Sequence, residues 1–105
     1  MTDEKDECFE TEMGVPTFTV ELPNEQRMFP YNSFRNAVLR ADRITIELYD
    51  WEIAIAGKRL GSLWKQLQLQ DVRVIRINPD TTDGQCAISD IEIRLLEAEP
   101  EEQDV

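Results

Sequence analysis

Residues 44–77 read ITIELYDWEIAIAGKRLGSLWKQLQLQDVRVIRI and carry three periodic signals in succession. Ile44, Ile46 and Leu48 alternate with Thr45 and Glu47, the period of two of a strand with one buried face. Trp51, Ile53 and Ile55 then form the apolar set in the opposite phase. A hairpin that sets Leu48 opposite Ile53, Ile46 opposite Ile55 and Ile44 opposite Gly57 gathers both sets on one face, and a one-residue slip would turn one set outward. The connection is either a two-residue turn at Asp50 and Trp51 or a four-residue loop from Tyr49 to Glu52, since no Asn-Gly or Asp-Gly pair decides.

Gly57 reads as the end of that strand. Leu60, Leu63, Trp64 and Leu67 follow at spacings that place them on one stripe of a helix, with Ser62, Lys65, Gln66 and Gln70 opposite. Gly61, which costs roughly 1 kcal/mol relative to Ala inside a helix, fits a frayed first turn. So short a helix needs a partner, and the hairpin face is the apolar surface available to it. Ile46, Leu48, Ile53, Ile55, Leu63, Trp64 and Leu67 are the expected core. The β-branched run from Val72 to Ile77, stopped by Asn78 and Pro79, reads as the next strand.

Working outward, Asp83 and Gly84 signal a reversal that brings a last strand back antiparallel to Val72–Ile77. In that strand Ile91, Ile93 and Leu95 share a phase and Cys86 and Ile88 take the other, so a bulge or a bend is expected near Ser89 and Asp90. On the N-terminal side, Phe18, Val20 and Leu22 alternate with Thr17, Thr19 and Glu21 as a first strand, and Pro23, Asn24 and Glu25 form a turn. Residues 28–42 fit either a helix capped by Ser33 or an extended segment. The extended form is preferred, because a helix would have to reverse into the hairpin at Ala41–Arg43 without Gly or Pro.

This order predicts an α+β domain: a mostly antiparallel sheet of four to five strands with one amphipathic helix packed on one face. The domain is expected over residues 15–96, flanked by acidic disordered tails at 1–14 and 97–105. Those tails account for nearly all of the formal charge of −11: residues 1–14 hold six acids and one lysine, and residues 97–105 hold five acids and no base. The segment between them is nearly neutral. That distribution weakens any reading of the protein as an acidic surface that mimics nucleic acid.

Chemistry is sparse. The 105 residues include no histidine, which removes the commonest general base and metal ligand. Asp50 and Glu52 flank Trp51 but sit at a turn, where solvated acids are ordinary. Asp80, Asp83 and Asp90 lack the spacing of a calcium loop, and the glycines form no phosphate-binding pattern. Cys8 and Cys86 form neither a CxxC nor a zinc spacing and read as two unrelated reduced thiols. No catalytic residue, metal or cofactor is expected. No apolar run is long enough for a membrane span, and the acidic N-terminus is unlike a secretory signal, so a cytoplasmic protein is expected.

Binding is the stronger expectation. One helix covers one face of a sheet, leaving Tyr49, Trp51, Ala54 and Ala56 at the hairpin tip or on the other face as candidate partner-binding residues. The function expected is a non-catalytic protein-interaction or assembly domain, a homodimer first. The alternative is a nucleic-acid-associated regulator using a basic patch of Arg35, Arg40, Arg43, Lys58 and Arg59, with Arg43 opposite Lys58 in the hairpin. The overall negative charge and the absence of an aromatic RNA-binding motif weigh against it.

Overall fold

In a computed structural model describing residues 8–81 and 84–96, the hairpin forms as β5 (Arg43–Leu48) and β6 (Trp51–Lys58). The register differs from the expected one by two residues: Ile46 pairs with Ile53 and Ile44 with Ile55, across a two-residue turn at Tyr49 and Asp50. Two residues is one full period of a strand. The apolar faces coincide as expected, but Arg43 now lies opposite Ala56 rather than Lys58.

Residues 34–40 are extended, as preferred, and form β4 (Phe34–Arg40), which pairs with β5 through a reversal at Ala41–Asp42. On the far side of β6 lies β8 (Ala87–Leu95). This corrects the pairing expected for the last strand: β8 runs antiparallel to β6, and among the described residues its backbone pairing to the segment after β7 (Val72–Arg76) is the isolated bridge between Asn78 and Ile88. The expected irregularity near Ser89 and Asp90 is a bulge. Ala56 pairs with Asp90 and Gly57 with Ile88, so Ser89 is the extra residue. Gly57 remains within β6, and its glycine is required by contact: a Cβ there would lie 2.0 Å from the Ala87 carbonyl oxygen.

The fold is α+β: the described residues form eight strands in two mostly antiparallel sheets and one helix. The second sheet has the order β4-β5-β6-β8. The first has the order β1-β7-β2-β3 and is completed by β1 (Phe9–Thr11), β2 (Thr17–Glu21) and β3 (Gln26–Pro30). β2 and β7 are parallel neighbours. Residues 8–12, which read as part of an acidic tail, belong to the fold: Phe9 pairs with Ile75, Glu10 with Val74, and Cys8 is buried. The correction arises because β7 offers a free edge whose arginines, Arg73 and Arg76, meet Glu10. Tail residues 13 and 14 are described, with Met13 exposed, whereas residues 1–7 and 97–105 and the turn residue Asp83 lie outside the described residues.

One core joins both sheets. Phe18, Val20 and Phe29 of the first pack in the same cluster as Ile44, Ile46, Leu48, Ile53, Ile55 and Ile91 of the second. The helix α1 (Gly61–Gln68) crosses from β6 to β7 and lies against β7. Its residues Leu63 and Leu67, with Leu60 just before it, enter this common core, while Trp64 is half-buried beside it. The helix therefore does not cover the hairpin face alone; the first sheet shares that task. Gly61 opens the helix, and no neighbour crowds it. Tyr31, in a short 3-10 turn between β3 and β4, donates its hydroxyl to the Val72 carbonyl at 2.6 Å and thereby joins that turn to β7. No helix among the described residues is long and apolar enough to cross a membrane.

Candidate partner-binding surfaces

The four apolar candidates separate into two surfaces. Tyr49 and Trp51 stand at the hairpin tip, where β3 of the other sheet approaches. Trp51 has the phase of Ile53 and Ile55, so its ring turns inward and meets Phe29 edge-on, with centroids 6.4 Å apart. The Arg27 guanidinium lies 4.2 Å from the centre of the Trp51 ring and also pairs with Glu25 at 3.5 Å. The tryptophan is thus a half-buried tie between the sheets. Beside it a cleft of about 500 Å³ opens between β3 and the tip, with Met28 and Tyr49 on its margin, 66% and 64% exposed. Arg27 and Met28 carry no signal in the sequence because β3 is five residues long and straddles the start of the stretch of ambiguous period.

Ala54 and Ala56 lie on the outer face of the second sheet. Because Ile46 and Ile53 point inward, the neighbouring row Val38, Thr45, Ala54, Glu92 points outward, as does the row Arg40, Arg43, Ala56, Asp90. A third outer row holds Asn36, Glu47, Glu52 and Arg94. The result is a centre of small side chains, a basic corner at the β4 edge and an acidic corner at the β8 edge. In the third row the charges are neutralised: Arg94 pairs with Glu52, and Arg35 lies 3.7 Å from Glu47. Among the described residues Arg40, Arg43, Asp90 and Glu92 form no ion pair. Arg40 and Arg43 face each other directly across strands, an arrangement that costs stability unless something else compensates it. The sequence could not place Asp90 and Glu92 here, because β8 was expected on β7.

The five basic candidates do not gather. Arg40 and Arg43 are adjacent, Arg35 is engaged with Glu47, and Lys58 pairs along the backbone with Ala87. Arg59, held at a φ of 53°, donates its Nε–H to the Gln85 carbonyl at 2.7 Å. No group of three or more His, Cys, Asp or Glu residues that could hold a metal ion occurs among the described residues. Comparison with protein-family models finds no match to this chain, and comparisons with curated proteins and with solved structures likewise find none.

Proposed function

We propose that this chain is a non-catalytic assembly domain that pairs with a second copy of itself through the outer face of its second sheet. The observation that carries the reading is the division on that face of charges that form no ion pair among the described residues, Arg40 and Arg43 on β4 and β5 at one side and Asp90 and Glu92 on β8 at the other. A twofold axis parallel to the strands reverses strand order between facing copies. It sets β4 of one over β8 of the other while keeping the rows matched. Arg40 then meets Asp90 of the second copy, and Thr45 meets Ala54, small enough for two sheets to approach to about 10 Å. The same operation brings Glu47 over Glu52, but each already has an arginine partner in its own chain. Complementary corners of this kind fix orientation and steer encounter more than they add affinity.

The outer face favours this reading over the tip, where Trp51 is occupied with Phe29 and Arg27. It also favours it over a nucleic-acid surface, because the acidic corner shares the face with the two arginines.

Sedimentation over a concentration series tests the proposal. Asp90→Arg and Arg40→Asp should each weaken self-association by about tenfold or more, and the doubly exchanged chain should regain most of it. Added salt should weaken the unaltered chain as well. A chain that is monomeric at high concentration, or single exchanges with no effect on a dimer, would overturn the reading.

A further inference from the structure

The two cysteines that the sequence leaves unconnected lie together in the fold. Cys8, immediately before β1, is 1% exposed, and Cys86, immediately before β8, is 5% exposed. The Cys8 thiol points at the Cys86 sulfur, 3.0 Å away, and at the Cys86 carbonyl oxygen, 3.2 Å away. The sulfurs are therefore about 1 Å beyond the length of a disulfide bond, roughly 2.05 Å. β1 is an edge of the first sheet and β8 an edge of the second. The pair thus spans the open side between the sheets, 78 positions apart in the chain.

A second feature belongs to the same place. Arg59 is fixed by its bond to the Gln85 carbonyl, one residue before Cys86. The Cys86 thiol is held below its usual range, first by the hydrogen bond from Cys8 and also by the Arg59 charge, against the opposing effect of burial. A buried sulfur whose ionisation is favoured by a neighbouring donating thiol and a nearby guanidinium is the one placed to begin thiol–disulfide exchange.

We propose that Cys8 and Cys86 are a modification site, a dithiol that a low-molecular-weight disulfide of the glutathione type converts into an intramolecular disulfide clamping β1 to the start of β8. The Cys86 thiolate attacks one sulfur of the reagent, whose S–S bond breaks and releases one thiolate. Cys8 gives its proton to solvent and attacks the Cys86 sulfur of the mixed disulfide, expelling the second thiolate. The protein loses two protons and two electrons. The electrons reduce the reagent to two thiols. Because both sulfurs are buried, the reagent enters when β1, a three-residue edge strand, lifts from β7. Closure of the bond then abolishes that motion, so the oxidant fixes the strand whose release admitted it.

The full-length chain in its two redox states carries the test. Incubated with oxidised glutathione, it should lose two hydrogens by intact mass and protect both cysteines from alkylation together. It should remain a single chain on a non-reducing gel, and its melting temperature should rise by about 10 °C or more. Dithiothreitol should reverse the mass loss, the protection from alkylation and the rise in melting temperature. A stable adduct of one glutathione, a disulfide-linked pair of chains, or two cysteines that stay alkylatable after incubation at the onset of thermal unfolding would each overturn the proposal. Cys86→Ser serves as a control whose melting temperature should not respond to the reagent. The comparison of the two redox states of the unaltered chain does not depend on that variant folding.

Discussion

The two sheets are built from opposite kinds of sequence. Three strands of the second, β4, β5 and β6, follow one another through reversals at Ala41–Asp42 and Tyr49–Asp50, so their ladders close over short loops. The first sheet collects β1, β2 and β3 from one end of the chain and β7 from beyond the helix, and it includes the parallel β2–β7 pair. Its ordering carries a larger loop-closure cost, and hence it depends on what the second sheet and the helix have already positioned. Their fastenings differ accordingly. The second sheet relies on an inner face of isoleucines and on close backbone fit at one bulge. The first relies on aromatic contacts, Phe18 with Phe29 at 5.6 Å and with Tyr31 at 5.2 Å, and on individual polar bonds to β7. Steric change should therefore damage the second sheet most, and the loss of a single polar group should tell mainly on the first.

Gly57→Ala should give the largest effect. The added methyl would meet the Ala87 carbonyl oxygen at 2.0 Å and the Ile88 Cα at 2.9 Å, backbone atoms that cannot rotate away. β6 and β8 would have to separate at the bulge. The expected loss is about 3 kcal/mol, the upper end of overpacking costs, measured by urea denaturation at constant slope. A loss below about half a kilocalorie would mean that the bulge relaxes freely and that backbone fit does not fasten this sheet.

Tyr31→Phe should cost less, about 1 to 2 kcal/mol, because it leaves the ring among Phe18 and Phe34 and removes only the bond to the Val72 carbonyl. Burial raises the pKa of this hydroxyl to about 12, the behaviour of an enclosed phenol that keeps its proton for the Val72 carbonyl. Native-state hydrogen exchange should show the loss in β7 and β3 before β5 and β6. Equal loss of protection in both sheets would erase the proposed contrast.

The same contrast decides what could be read from the sequence. Alternation is local, so the inner face of β5 and β6, the stripe of α1 and the bulge at Ser89 were all legible. Alternation repeats every two residues, however, and therefore could not choose between registers two residues apart when the turn, Tyr49–Asp50, carries neither Asn nor Gly. β1 was illegible because Phe9–Thr11 is three residues among acids, and what makes it a strand is an edge of β7 more than sixty positions away. The candidate surfaces follow the same rule. Ala54 and Ala56 were placed outward, and Trp51 in the inward phase, by alternation alone, whereas the contact that occupies Trp51 needed Phe29 of the other sheet, and the acidic corner needed β8 beside β6.

Glu10 gives the smallest expected effect and the finest test of the first sheet's polar fastening. Its carboxylate meets Arg73 and Arg76, and Arg76 also meets Glu21 at 3.1 Å, so β1 is tied to β7 and β7 to β2 through one set of charges. The hydrogen bond from Arg76, more than any other interaction, holds the Glu10 carboxyl below its usual range, despite partial burial. A carboxyl depressed in the folded state stabilises the fold above its unfolded value, roughly 4.3, and loses that contribution as pH falls through the lower folded value. Because the site is partly solvated, Glu10→Gln should cost less than about 1 kcal/mol at neutral pH. The diagnostic quantity is the difference between the two chains. Measured by urea denaturation at successive pH values, the stability curves should run parallel above pH ~5 and converge below pH ~4, since the unaltered chain alone loses the carboxylate there. Curves that stay separated to low pH would assign the loss at neutral pH to the shape of the side chain and leave β1 held by its backbone ladder rather than by charge.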